Sequence, residues 1–96
     1  MKVKLTRNIY HNTPKTGLTS KVFFKDYEWD IPPVIGATID DAVWHRNDIT
    51  KIENINIISE EADCYYVELT PKKVDDLNII DEFVDIAKLH GWEVLY

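Results

Sequence analysis

The sequence is short of cysteine, glycine and proline: its 96 residues include one cysteine, three glycines and four prolines. A single cysteine, Cys64, excludes a disulfide within the chain and a cysteine-based zinc site built from this chain alone. So few glycines and prolines exclude a collagen-like repeat and a disordered low-complexity tail. A chain of this length accommodates one compact domain, and we predict that residues 1–96 form it.

Long apolar runs are also missing. The longest, Cys64 to Val67, is far shorter than the roughly 20 residues that span a bilayer. The first residues, Met1 to Arg7, interleave charged and apolar side chains and lack the apolar core of a signal peptide. Cys64 lies in a strand-like run, which favours a buried thiol in a reducing compartment. These features predict a cytoplasmic protein with no membrane segment.

The motifs that hold phosphates or activate a serine are absent from the sequence. Gly17, Gly36 and Gly91 are scattered, so neither a P-loop nor a dinucleotide-binding turn can be drawn. The only serines, Ser20 and Ser59, do not lie in a Gly-x-Ser-x-Gly elbow. Nucleotide binding through these turns is therefore excluded, and neither serine has a visible catalytic partner.

The histidines do not follow the spacing of a metal or acid–base site. His11 adjoins a turn and His90 ends a helical pattern. The most catalytic-looking group is Asp40 and Asp41 with His45, because a carboxylate can orient an imidazole. Adjacent strand residues point to opposite faces, so the two aspartates share a site only in a loop. We favour an acidic turn with a surface histidine, and predict no catalytic residue, metal or cofactor.

Acidic residues are missing from the first quarter of the chain. Residues 1–25 contain no Asp or Glu, whereas the remaining residues hold all seventeen acids against five bases. The two parts carry +6 and −12, which sum to the net charge of −6. The six N-terminal bases are Lys2, Lys4, Arg7, Lys15, Lys21 and Lys25.

Three interpretations of this division are open. The first is that basic strands lie beside acidic ones, where facing opposite charges stabilise a sheet by roughly 0.2–1 kcal/mol per pair. The second is that Lys2, Lys4 and Arg7 contact nucleic acid, which the excess of acid disfavours. The third is that the acidic body binds a basic protein and gains association rate from electrostatic steering.

The N-terminal half predicts a hairpin and two short strands. Residues 2–5 alternate polar and apolar, residues 12–17 give a dense turn signal, and residues 20–25 suit the partner strand. After Pro32-Pro33, residues 34–41 predict a loop that leads into a short strand. Residues 42–48 predict another short strand, with a single helical turn as the alternative.

A second hairpin is predicted further along. Its first strand, residues 49–59, fits no single period unless a bulge near Glu53-Asn54 resets the alternation. A turn at residues 59–63 leads to a strand at residues 64–70. In that strand Tyr65, Val67 and Leu69 share one face, and Cys64, Tyr66 and Glu68 share the other.

The C-terminal third predicts a helix and a last strand. Residues 75–90 have helical apolar spacing, an Asp75 or Asp76 cap and a stop at Gly91. Residues 92–96 read as a strand, which the strand–helix–strand order places parallel to residues 64–70. The fold class is therefore α+β: a mostly antiparallel sheet or partly open small barrel of five to six strands, packed by one C-terminal helix and ending in a short strand.

The predicted function is recognition of another protein. The solvent face of the helix offers Asp81, Glu82 and Asp85 to a basic partner, and Tyr66 and Trp92 are candidate aromatic anchors, with Trp29 and Trp44 also considered. A small acidic, non-enzymatic protein-binding module fits these features, as an inhibitor, an immunity-type neutraliser or an accessory protein of a mobile element.

Two further expectations concern other partners. A small-molecule or nucleic-acid binding domain would use the sheet face and the basic residues Lys2, Lys4 and Arg7. A homodimer would form through the C-terminal strand at residues 92–96, because an exposed strand edge invites pairing with a second copy.

Overall fold

The computed structural model describes residues 1–15, 17–41, 43–44, 48–57 and 64–95. These residues form six strands and one helix in an α+β fold, which confirms the predicted fold class. In chain order the elements are β1 (Lys2–Thr13), β2 (Gly17–Glu28), β3 (Ile52–Ile57), β4 (Cys64–Leu69), β5 (Lys72–Lys73), α1 (Leu77–Leu89) and β6 (Glu93–Val94). Within these residues, no helix has the length and apolar character needed to cross a membrane.

The strands form one open sheet in the order β3-β4-β1-β2-β6, with β5 beside β1. β1 and β2 pair antiparallel along their whole length, from Lys2 opposite Glu28 to Thr13 opposite Gly17. β3 also pairs antiparallel with β4, and β6 with β2. Among the described strands, the only parallel pairings are those of β4 and β5 with β1. The sheet is therefore mostly antiparallel, as predicted.

Both predicted hairpins are present. The first turns between Thr13 and Gly17, whose φ of 69° lies in the left-handed region that favours glycine. In the second, the register between β3 and β4 shifts between Ile52 and Asn54, which confirms the predicted bulge. The turn predicted at residues 59–63 lies outside the described residues.

Strand alternation gives the sheet one face covered by α1 and one uncovered face. On β1 the odd-numbered residues Val3, Leu5, Arg7, Ile9 and His11 are buried on the covered face. The even-numbered residues between them point to the uncovered face. Ile80 and Ala87 of α1 are buried in the same core. The half-buried thiol of Cys64 begins β4, so the expectation that it is buried is only partly met.

The helix follows its sequence signals closely. The side chain of Asp76 accepts a 2.9 Å hydrogen bond from the backbone N–H of Asn78 and so caps the N-terminus. The helix ends at Leu89, and Gly91 follows with a φ of 83°. The predicted cap and stop are therefore both confirmed, although the first helical residue is Leu77 rather than Asp75.

The last strand runs in the same direction as β4, as the strand–helix–strand order predicted, but the two strands do not pair. β6 pairs antiparallel with β2, where Phe23 lies opposite Val94 and Phe24 opposite Glu93. β4 is paired with β3 on one side and with β1 on the other, so neither of its edges is free to pair with β6. The chain leaving α1 reaches the edge of β2 instead.

The short strand predicted within residues 34–41 is not formed, whereas the short strand or helical turn predicted at residues 42–48 lies mostly outside the described residues, which include only Val43, Trp44 and Asp48 there. Within 34–41 the only strand-like pairing among described residues is a single bridge between Thr38 and Lys51. Val43 and Trp44 lie in a turn, because Asp41 accepts bonds from both backbone N–H groups at 3.1 Å. The described residues of 42–48 therefore form a loop that brings Trp44 into the core.

Candidate functional site

The solvent side of α1 carries the predicted acidic residues. Burial of Ile80 and Ala87 fixes the orientation of the helix and turns Asp81, Glu82 and Asp85 outward, where all three are exposed. We call these three residues the acidic face. In the part of the chain that the structure describes, none of the three forms an ion pair.

Two large apolar side chains lie beside the acidic face. Ile86 is 42% exposed and Leu89 is 83% exposed. Leu89 follows Asp85 by one helical turn, so its side chain adjoins that carboxylate on the helix surface. The exposed side of α1 thus combines negative charge with apolar contact area.

Lys4 is held on the uncovered face of the sheet. It lies directly opposite Asp26 on β2, and its Nζ is 3.8 Å from that carboxylate. The same Nζ is 5.0 Å from the ring centre of Phe24 and 5.5 Å from that of Tyr66. For this pair, the interpretation that basic and acidic strands face each other is confirmed.

Arg7 is buried on the covered face, in an ion-pair network. Its guanidinium donates two 2.9 Å hydrogen bonds to Asp48, and its Nε donates one of 2.7 Å to the carbonyl of Thr70. It also stacks 4.6 Å from the ring centre of Trp44. Burial alone would raise the pKa of the Asp48 carboxyl, but the contacts with Arg7 and Lys72 lower it overall.

Asp41 is held by a second internal network. Its carboxylate accepts a 2.7 Å hydrogen bond from the Tyr27 hydroxyl and one of 3.1 Å from the N–H of Val43, with Lys25 Nζ at 4.0 Å. Burial opposes ionisation of Asp41, but these partners lower its pKa overall. Burial, followed by the hydrogen bond and charge of Asp41, raises the pKa of Tyr27.

The structure does not bring together the predicted catalytic-looking group. The Asp41 side chain is 6% exposed inside its network, whereas Asp40 is exposed. His45 lies outside the described residues. Elsewhere in the described chain no three His, Cys, Asp or Glu side chains cluster in a way that could hold a metal ion.

The candidate aromatic anchors divide by environment. Trp92 is 2% exposed and its ring centre is 5.4 Å from that of Trp44, which is itself 6% exposed. Neither indole is on the surface, because both fill the core between α1 and the sheet. Tyr66 and Trp29 are half-buried, and Tyr66 lies on the uncovered face beside Lys4. Of the two anchors singled out, only Tyr66 is accessible.

The loop after β2 forms an apolar groove that the sequence analysis missed. The groove has a volume of about 570 Å³. It is lined mainly by apolar side chains, together with the acidic residues Glu28 and Asp30. Two of the lining side chains are apolar and exposed, Ile31 at 72% and Val34 at 62%, and Ile35, next in sequence to Val34, is also 62% exposed. The sequence signal was the closeness of these three residues around Pro32-Pro33. The groove lining is Glu28, Trp29, Asp30, Ile31, Pro32, Pro33, Val34, Ala37, Thr38, Ile39 and Ile52.

An acidic cleft adjoins the apolar groove. It has a volume of about 450 Å³, and the two recesses share Thr38 and Ile39 as a common wall. That wall is held against the start of β3: Ile39 N–H donates to Thr50 and Ile52 N–H donates to Ala37, both at 2.8 Å. The cleft lining is Thr38, Ile39, Asp40, Asp41, Trp44, Asp48, Ile49 and Thr50.

Comparison with protein-family models, with curated proteins and with solved structures finds no match for this chain. The function is therefore argued from the surfaces of the protein itself.

Proposed function

We propose that this protein is a non-enzymatic binding module that presents the acidic face of α1 to a basic protein partner. The observation that supports this most is the distribution of ion pairs. Three of the N-terminal bases, Lys4, Arg7 and Lys25, form ion pairs with carboxylates of the same chain. The acids of the acidic face have no such partner among the described residues, so their negative charge is available to another molecule.

The neighbouring apolar residues add contact area to this charge. Surface charges chiefly raise the rate of encounter between proteins, whereas buried apolar contacts slow dissociation. Ile86 and Leu89 are exposed beside the acidic face and supply such contacts. Like charges four residues apart on a helix, as at Asp81 and Asp85, destabilise it by a few tenths of a kcal/mol. Binding of a basic partner relieves this repulsion.

The carboxylates of Asp41 and Asp48 are engaged by hydrogen bonds and ion pairs within the chain, which supports a non-enzymatic role. A general acid or base works best when its pKa lies near the working pH. The pKa values of Asp41 and Asp48 are instead lowered by their internal partners, so both carboxylates stay ionised at neutral pH. Their contacts hold the loop to the sheet.

Nucleic-acid binding through the basic strands has less support. Arg7 is buried against Asp48, and Lys4 is engaged with Asp26 and two rings. Of the three bases proposed for that role, Lys2 alone is exposed. The homodimer through the last strand stays a prediction: β6 lies at one edge of the sheet, but Trp92 beside it is buried.

The test is a comparison of two charge reversals that change net charge equally. The first variant is Glu82→Lys with Asp85→Lys on the acidic face. The matched control is Glu68→Lys with Glu93→Lys, which reverses two exposed acids outside α1. A basic protein captured at low salt by the wild type is purified, and its association rate is measured with all three forms. We expect the first variant to slow association about tenfold at low salt and to flatten its salt dependence.

The control should bind nearly as fast as the wild type, since its charges lie away from α1. Equal slowing by both variants would show that only net charge matters and would contradict a site on α1. An association rate that none of the reversals changes would contradict the electrostatic proposal altogether.

A further inference from the structure

The apolar groove and the acidic cleft lie side by side on a surface that α1 does not form. Neither recess is lined by a residue of the helix. Their common wall, Thr38 and Ile39, is held by backbone hydrogen bonds to the segment before β3. Both recesses are thus preformed, as ligand and peptide sites usually are.

The apolar groove exposes more hydrophobic surface than folding requires. Ile31 and Val34 line the groove and are each more than 60% exposed, and Ile35, which follows Val34 in sequence, is exposed to the same degree. Isolated exposed apolar residues are ordinary, but contiguous ones mark sites of interaction. Trp29 and Pro33 belong to the same lining and are half-buried, so they add apolar contact surface to the groove.

Every charged residue that the structure describes in the linings of the two recesses is acidic. Glu28 and Asp30 belong to the lining of the groove, and Asp40 to that of the cleft; all three are exposed. The N-terminal amine lies 3.5 Å from Glu28, while Asp30 and Asp40 have no ion pair among the described residues. Lys51 lies opposite Thr38 in a single bridge but lines neither recess. An apolar occupant that carried negative charge would therefore be repelled here.

We propose that this two-part surface binds a peptide segment of a protein partner in which an apolar side chain is close to a lysine or arginine. The apolar side chain occupies the groove over Val34, and the basic side chain lies in the cleft beside Asp40. This surface is separate from the acidic face, so the inference does not depend on the function proposed for α1.

The test starts with selection of random short peptides on the immobilised full chain. Enriched peptides are then synthesised, and their dissociation constants are measured by fluorescence anisotropy. We expect enrichment of peptides that combine an apolar residue with Lys or Arg. Ile31→Ser with Val34→Ser should weaken their binding about tenfold or more, as loss of a buried apolar anchor does. Asp40→Asn should weaken it several-fold and reduce its salt dependence.

Matched controls separate this surface from others. Ile57→Ser removes an equally exposed apolar side chain, 64% exposed, on β3. Glu93→Gln removes an exposed carboxylate on β6 that lines neither recess. Neither should change peptide affinity. All replaced side chains are at the surface, and unchanged thermal unfolding would establish that the variants fold.

Three results would overturn the proposal. One is selection that enriches no peptide, and another is enrichment of peptides without basic residues. The third is binding that the groove variant leaves intact. Peptide binding that is lost with Glu82→Lys and Asp85→Lys, but kept by the groove variant, would support α1 as the binding surface and reject the groove.

Discussion

Lys4 and Arg7 lie on one strand and carry the same charge, yet they occupy opposite faces of the sheet. Lys4 points to the uncovered face, where its side chain is 29% exposed and its partner Asp26 is 72% exposed. Arg7 points to the covered face, where its side chain is 1% exposed and Asp48 is 13% exposed. The lysine ion pair is long, at 3.8 Å, whereas the arginine pair is bidentate at 2.9 Å.

The comparison shows that the environment, rather than the charge, decides what a basic residue does here. An exposed pair is screened by water and contributes little to stability. A buried charge must be satisfied by its partners, so the loss of one partner is costly. Arg7 accordingly ties together β1, the loop at Asp48 and the end of β4 at Thr70, whereas Lys4 bridges neighbouring side chains on a surface.

The largest expected effect comes from removing the buried charge. We expect Arg7→Met to lower the free energy of unfolding by about 3–5 kcal/mol, because Asp48 then loses its main partner in a buried site. Chemical denaturation followed by tryptophan fluorescence measures this, since Trp44 stacks on the guanidinium. A loss below about 1 kcal/mol, the size typical of surface pairs, would remove the distinction between the two faces.

The control for this substitution removes both charges together. The double variant Arg7→Met with Asp48→Leu leaves no unpaired ion between Arg7 and Asp48, so it should be more stable than Arg7→Met alone. A double variant that is as unstable as the sum of both single ones would mean that the two charges act independently.

Acid should destabilise the protein by protonating the carboxylates of Asp41 and Asp48, which weakens their ion pairs and hydrogen bonds. The pKa values of Asp41 and Asp48 lie below their ordinary value of 3.8 in the folded protein. Well above pH 3.8, where the folded and unfolded carboxyls are both ionised, their contribution to stability is complete. At lower pH the unfolded chain takes up protons first, so this contribution declines until the folded carboxyls protonate as well. The free energy of unfolding, measured from neutral pH downward, should therefore decrease as the pH falls through the range in which these carboxyls protonate.

The variant Asp48→Asn tests which carboxylate is responsible. It should be less stable than the wild type at neutral pH, because Arg7 loses its charged partner, and its stability should decline less steeply in acid. An acid profile identical to that of the wild type would contradict a lowered pKa at Asp48.

The smallest expected effect is on the uncovered face. We expect Lys4→Ala to lower the free energy of unfolding by less than about 1 kcal/mol, since it loses one exposed ion pair and its contacts with two half-buried rings. The same denaturation experiment measures it. A loss as large as that of Arg7→Met would show that the uncovered face is not solvated as the structure indicates.

Much of the fold could be predicted because local patterns repeat over several residues. Helical spacing and the caps at Asp76 and Gly91 located α1, and the reset alternation near Glu53-Asn54 located the bulge of β3. The partner of the last strand could not be predicted in this way. Pairing depends on which strand edges are already occupied, and that is a property of the whole sheet.

The candidate surfaces were predictable to different degrees. Asp81, Glu82 and Asp85 are exposed as predicted, because the apolar stripe of a helix fixes its solvent side. Trp92 was considered as an anchor and proved to be buried, since a tryptophan suits a core as well as an interface. The apolar groove was missed because its lining comes from residues of β2, the following loop and Ile52.

The sequence by itself determined the elements and the charge of this protein. Alternation within β1 and β2, the helical stripe of α1, and the division between a basic start and an acidic remainder all follow from residues close in the chain. The burial of Arg7 against Asp48 and the pairing of the last strand with β2 depend instead on the folded arrangement of the whole chain. These outcomes depend on contacts between distant residues, and their free energies are set by burial, which no local pattern specifies.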